Sequence, residues 1–159
     1  MVVSQRRECS QMNSQLQGLL QRVPLTGLRN KSAFEERIAD RLRKTNGEDG
    51  LTLLMVDLDD FKGVNDRFGH AMGDKALFDM AQIIRRNFRG VDIVGRIGGD
   101  EFLVFCTEKM SLLRIRERAH ILVEQLQTHC CDPPSCLTLT ASVGVASRPR
   151  DRPTYAAPF

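Results

Sequence analysis

A pair of glycines set between two apolar runs restricts this chain more than any other feature. In Ile93-Val94-Gly95-Arg96-Ile97-Gly98-Gly99-Asp100-Glu101-Phe102-Leu103-Val104-Phe105 the flanks read as strands, and the glycines predict a tight hairpin turn with carboxylates at its tip. A hairpin commits its strands to antiparallel pairing. Without a Cβ, Gly98 and Gly99 can take positive φ and let a ligand approach the backbone closely. Asp100 and Glu101 follow at once, and adjacent like charges repel unless a cation or hydrogen-bond donors compensate them.

A solvated turn that happens to be acidic would look the same. A second stretch changes the odds. The apolar run Leu51-Thr52-Leu53-Leu54-Met55-Val56 leads straight into Asp57, Asp59 and Asp60, with Lys62 beside them. Continuous apolarity is expected of a central strand covered on both faces, with Asp57 at the edge of the core. Two apolar strands that end or turn in acids, with a lysine alongside, have the composition of a shared Mg²⁺ and phosphate site.

The 159 residues fit one domain, and 42% hydrophobic with 27% charged residues is ordinary for a globular chain. A formal net charge of +3 is too small to argue for nucleic acid or an anionic membrane. The N-terminus lacks a signal-peptide hydrophobic region and no run approaches the ~20 apolar residues that span a bilayer, so the chain reads as soluble and cytoplasmic. Five cysteines, Cys9, Cys106, Cys130, Cys131 and Cys136, form an odd set that fits reduced thiols. Cys130, Cys131 and Cys136 lack the paired spacing of a metal clip.

Along the chain, residues 8–22 carry Met12, Leu16, Leu19 and Leu20 at helical spacing, which predicts a linker helix over 1–23 that Pro24 ends. Asn30 is placed to cap a helix over about 31–44 whose Phe34, Ile38 and Leu42 share a face, and 46–50 is a polar loop. A short helix from Phe61 to Phe68 closes at Gly69. A long one from Met72 to Phe88 turns Ala76, Leu77, Met80, Ile83, Ile84 and Phe88 inward. Strands at 93–97 and 101–106 are followed by a helix from about Ser111 to Thr128, with Leu112, Ile115, Ala119, Leu122 and Leu126 on one side. After the Pro133-Pro134 loop, residues 137–146 alternate as a last strand, and the Pro- and Arg-rich tail from Arg148 to Phe159 reads as loop. The order implies an α/β (α+β) domain with a mainly antiparallel sheet and helices packed on it.

From about Leu25 to Ala146 the chain resembles the GGDEF domain, the catalytic domain of bacterial diguanylate cyclases. The matching pieces are Leu25-Thr26-Gly27-Leu28-Arg29-Asn30, Asp57-Leu58-Asp59-Asp60-Phe61-Lys62-Gly63-Val64-Asn65-Asp66, Phe68-Gly69-His70-Ala71-Met72-Gly73-Asp74, Arg96-Ile97-Gly98-Gly99-Asp100-Glu101-Phe102 and Ala141-Ser142-Val143-Gly144-Val145-Ala146. Each is weak alone, and their joint order and spacing are specific. The resemblance implies the ferredoxin-like nucleotidyl-cyclase fold over 24–159. It also implies a reaction in which two GTP molecules condense to cyclic di-GMP with release of two pyrophosphates, across two domains facing each other as a homodimer.

The resemblance also implies roles. Asp57, Asp100 and the backbone carbonyl of Leu58 would hold Mg²⁺, with Mn²⁺ as an alternative, and Asp100 would accept the 3′-hydroxyl proton. Glu101 would support metal or phosphate ordering, and Lys62 would stabilise charge on the triphosphate. The helix starting at Phe61 would offer free N–H groups to phosphates, Asn65 and Asp74 would read the guanine edge, and His70 would add a substrate contact. Arg89 and Asp92 match the family's R-x-x-D product-inhibition site for cyclic di-GMP. The plain structural readings are a solvated Lys62, a surface Asn65, a helix-capping Asp74, a turn histidine at His70 and a surface charge pair at Arg89.

The chain departs from the family at Val23, where Asp is usual, and in its last residues, where Thr154 to Phe159 do not replace the family's final helix. The resemblance also implies a sensory or receiver domain as partner in a longer protein, membrane-bound or not. An EF-hand starting at Asp57 fails, because Lys62 stands where glycine is required and Phe68 where the bidentate glutamate belongs. A binding-only nucleotide sensor remains as the alternative to an enzyme. A nucleic-acid surface over Arg85-Arg86-Asn87-Phe88-Arg89 has too few basic residues and lacks interleaved exposed aromatics.

Overall fold

The structure, a computed structural model, describes residues 21–44, 51–108, 110–128, 131–132, 135–136 and 139–148. The expected linker helix up to residue 20, the 46–50 loop, Cys9, Cys130, the Pro133-Pro134 loop, Leu137-Thr138 and the tail beyond Arg148 lie outside the described residues. Residues 21–23 are not helical. Arg22 instead forms an antiparallel bridge with Arg29, and the Val23 N–H donates to the Leu28 carbonyl at 2.8 Å across the intervening turn.

Helix α1 (Lys31–Lys44) begins as its cap residue demands: Asn30 Oδ1 accepts the Ala33 N–H at 2.9 Å, satisfying one of the donors a helix start leaves open. Strand β1 (Leu51–Leu58) follows, then α2 (Phe61–Phe68), α3 (His70–Asn87), the hairpin β2 (Ile93–Arg96) and β3 (Glu101–Cys106), and α4 (Leu112–Thr128). A two-residue ladder, β4 (Cys131–Asp132) with β5 (Ser135–Cys136), precedes the last strand, β6 (Ala141–Arg148). The last strand thus begins four residues later than the alternation at 137–146 suggests. The four long strands lie in the order β2-β3-β1-β6, with every neighbouring pair antiparallel.

Pleating sends alternate β1 residues to opposite faces. Thr52, Leu54, Val56 and Leu58 are buried. The last three join Phe102, Val104 and Cys106 of β3 under Leu77, Met80 and Ile84 of α3 and Leu122 and Leu126 of α4. Full burial of each such aliphatic side chain contributes ~1.5–3 kcal/mol relative to exposure. On the opposite face Leu51 and Leu53 pack with Phe34, Ile38 and Leu42 of α1. Met55 on that face is 46% exposed, so β1 is covered on both faces only along its first half. Its continuous apolarity reflects α1 at one end, and the other end is left open where Asp57 stands.

The Cys106 thiol is free and buried, and burial, with Asp92 adding to it, pushes its pKa up to about 12, as suits an inert core thiol. Among the described residues no helix is long and apolar enough to cross a membrane.

Candidate functional site

Strand register brings the two acidic stretches together. Asp57 sits opposite Glu101 on β3 and opposite Ser142 on β6, one residue before β1 ends. The Asp57 pKa is raised, first by burial and then by the Asp100, Glu101 and Asp59 carboxylates, while a hydrogen bond from the Leu58 N–H opposes the rise. Asp57 Oδ1 is buried with no hydrogen-bond partner. A buried carboxylate oxygen among like charges is costly, and a cation is the species that would relieve it. That orphaned oxygen is what makes the residues fit a divalent ion. Among the described residues no three acidic, histidine or cysteine side chains close into a ligand set. A hard cation held by two carboxylates and a carbonyl, and otherwise by water and phosphate, fits that arrangement.

Asp59, two residues on, is engaged elsewhere. Its Oδ1 accepts the Ser142 hydroxyl at 2.7 Å, and its N–H donates to the Thr140 carbonyl at 3.0 Å. Ser142 thereby ties the start of β6 to the end of β1. Its role was invisible in the sequence, where 83 positions separate the partners.

The hairpin differs from expectation in one respect. Among the described glycines only Gly27 and Gly69 have positive φ, so Gly98 and Gly99 do not supply left-handed turn residues. The Ile97 N–H donates to the Glu101 carbonyl at 3.0 Å, which closes the expected tight turn as a three-residue loop, Gly98-Gly99-Asp100. Gly98 gives room. A Cβ there would lie 2.4 Å from Glu101 Oε2, so the glycine lets the Glu101 side chain fold back over the loop.

Arg96 was part of the motif without an assigned role. Its Nε and Nη2 both donate to the Gly99 carbonyl, at 3.0 and 2.6 Å, which clamps the loop that carries Asp100. Burial lowers its pKa, and the Asp74 and Asp100 carboxylates pull the other way, so the guanidinium stands within electrostatic reach of both. An arginine ending a strand two residues before a glycine pair is the signal that could have revealed it, since the loop carbonyls need donors.

Helices α2 and α3 carry the remaining candidates. Asp60 precedes α2 in a left-handed conformation, φ 52°, and makes no side-chain cap, so the first N–H groups of α2 receive no help from it. Lys62 is exposed. A Cβ on Gly73 would lie 2.1 Å from Asn65 Oδ1 and 3.2 Å from Phe61 Cζ, so both side chains lean on α3 just where Asp74 emerges. Asn65 and Asp74 therefore share one corner, with Asp74 exposed. The helix begins at His70, so Asp74 lies a turn inside it and is not its cap. His70 is exposed at the start of α3.

Arg89 and Asp92 meet in the connection from α3 to β2. The Arg89 N–H donates to Asp92 Oδ2 at 3.0 Å and the Asp92 N–H to the Arg89 carbonyl at 2.9 Å. The Arg89 guanidinium, however, is ion-paired with Glu108 and not with Asp92.

Comparison with known proteins follows the same outline. The family model described as "Diguanylate cyclase, GGDEF domain" matches residues 23–157. Diguanylate cyclase DgcP of Pseudomonas aeruginosa is 32% identical over 152 residues, which cover 92% of this chain and 22% of that protein. Cyclic di-GMP phosphodiesterase NbdA of the same organism is 38% identical over 133 residues, 80% of this chain and 16% of that protein. The chain thus spans less than a quarter of the length of either relative. Among solved structures, the coiled coil and GGDEF domain of DgcB from Caulobacter crescentus in complex with c-di-GMP superposes with a TM-score of 0.85 at 21% identity. That match covers 95% of this chain and 81% of that one, a likeness of fold.

Proposed function

This chain belongs to the GGDEF domain family, whose fold is that of the nucleotidyl cyclases, and from that premise we propose that it acts as a diguanylate cyclase. Two GTP molecules, one on each of two facing copies, are condensed to cyclic di-GMP. In each half of the reaction the 3′-hydroxyl oxygen of one GTP bonds to the α-phosphorus of the other and pyrophosphate leaves. The hydroxyl proton passes to the carboxylate of Asp100.

The observation that carries this reading is the buried, unpartnered Asp57 Oδ1, set by strand register beside the carboxylates of the Gly98-Gly99 hairpin. Asp57, Asp100 and the Leu58 carbonyl would hold Mg²⁺, with Mn²⁺ the alternative. When bound, the ion supplies neutralising charge for the triphosphate and polarises its phosphoryl oxygens. Glu101, folded over Gly98, keeps a third carboxylate in reach of that position. Lys62, exposed at the start of α2, offers a point charge to the phosphates, and the first N–H groups of α2 from Phe61 offer donors.

Guanine is read in the corner that Gly73 opens. Asn65 presents both a donor and an acceptor, and Asp74 accepts from the ring N–H and the exocyclic amine. His70 borders the same corner at the start of α3. The Arg89 and Asp92 corner is the feedback site, where the product's phosphate meets Arg89. In the longer protein a sensory or receiver domain would set how often two copies meet, and the cytoplasm, where GTP is made, would be the location.

The test is conversion of GTP, with Mg²⁺, to cyclic di-GMP and pyrophosphate, followed by chromatography. The parent chain at high concentration is expected to make both products, and Asp100→Ala to lose at least ~10²-fold in turnover, as loss of a charge-stabilising group commonly costs. Equal output from the variant would overturn the role of Asp100. GTP binding without product by the parent is the result expected of a binding-only module.

A further inference from the structure

The Arg89 corner contains a carboxylate that the R-x-x-D pattern does not include. Glu108, just beyond the end of β3, pairs through Oε1 with Arg89 Nη1, and the two side chains are about half exposed, at 57% and 52%. Asp92 has other work. Its Oδ2 takes the Arg89 backbone N–H, and its Oδ1 takes the Thr107 N–H at 3.0 Å and the Thr107 hydroxyl at 3.3 Å. An ionised carboxylate offers about four acceptor sites, so most of Asp92's capacity is spent inside the domain. Asp92 is the anchor that ties the α3–β2 connection to the residue leaving β3. The chain then passes from Thr107 to Glu108, which delivers the carboxylate against the guanidinium that a ligand phosphate would need.

We infer that Glu108 is an internal competitor for Arg89, and that an anionic ligand must displace its carboxylate to reach the guanidinium. The inference rests on the feedback reading above, in which that ligand is a cyclic dinucleotide. A phosphodiester can take the guanidinium's fork in two parallel hydrogen bonds, whereas Glu108 meets it from the exposed surface through Oε1 on Nη1. Exchange therefore favours the ligand, at a handicap set by the ion pair it breaks. Exposed ion pairs are weak, so that handicap is about two- to fivefold in affinity. The device sets the product level at which feedback begins without altering the residues that contact product.

Calorimetric titration of cyclic di-GMP into the parent chain, Glu108→Gln and Arg89→Ala at low salt tests this. Glutamine keeps the shape and removes the charge of a side chain that is half exposed, so the fold is retained. The expected result is a Kd about two- to fivefold lower for Glu108→Gln than for the parent, with binding by Arg89→Ala weakened or lost. An unchanged or higher Kd for Glu108→Gln, alongside loss of binding in Arg89→Ala, overturns the competitor and leaves the feedback site standing. Equal binding by all three proteins, or no binding by any, overturns both.

Discussion

At the scale of single residues, Asp57 is held in the least comfortable environment of the site. Burial and three carboxylate neighbours raise its pKa, so the folded chain binds that proton more tightly than the unfolded chain does. Stability then falls as pH rises from the ordinary carboxylate value through the raised one, because ionisation is disfavoured only in the folded state. Asp57→Asn, measured in a chelator from about pH 4 to about pH 8, is expected to lack that fall. It is also expected to melt above the parent at neutral pH, where the parent's carboxylate is ionised against its neighbours. Parallel melting curves for variant and parent at every pH would show that Asp57 carries no such strain. Arg96 and Ser142 act in the opposite sense. One clamps the Gly99 carbonyl and the other holds Asp59, so the loop and the strand end that flank Asp57 are fixed while Asp57 Oδ1 itself is left unpaired.

At the scale of elements, α2 and α3 meet through a glycine. Adding a methyl at Gly73 forces Asn65 Oδ1 to move, since the two would stand 2.1 Å apart. Alanine is also the better helix former by ~1 kcal/mol. Gly73→Ala is therefore expected to keep or slightly raise thermal stability while weakening GTP binding about tenfold, the loss of one good hydrogen-bonded recognition contact. Unchanged GTP affinity would remove Asn65 from guanine reading.

The elements themselves were largely legible in the residues. The spacing of Ala76, Leu77, Met80 and Ile84 and the run from Leu51 to Val56 leave few alternatives, and antiparallel pairing followed from the hairpin. Two features were not legible. The β4–β5 ladder is two residues long on each side and carries no periodicity, and the half-open face over Met55 depends on where α1 lies and not on β1. Gly98 lies in the hairpin turn as expected, without a positive φ, and there leaves room for Glu101. A glycine in a sequence does not say which of its two properties is used. Likewise Glu108 against Arg89 and Thr107 against Asp92 are contacts between segments, which no local spacing announces.

At the scale of the molecule, the sheet order decides the chemistry. With β1 between β3 and β6, the ends of strands far apart in the chain arrive side by side, and a carboxylate with one buried oxygen meets an acidic loop over the uncovered half of one face. The helices on the other face, α3 and α4, fill the core and leave that edge free. The proposed function requires that this meeting of carboxylates hold a divalent cation together with a guanosine triphosphate. Calorimetric titration of GTP into the parent chain and into Asp57→Asn, each with Mg²⁺ and with chelator, tests it directly. Binding by the parent that requires Mg²⁺ and is lost in Asp57→Asn is the predicted result. GTP affinity indifferent both to the ion and to the substitution would contradict it.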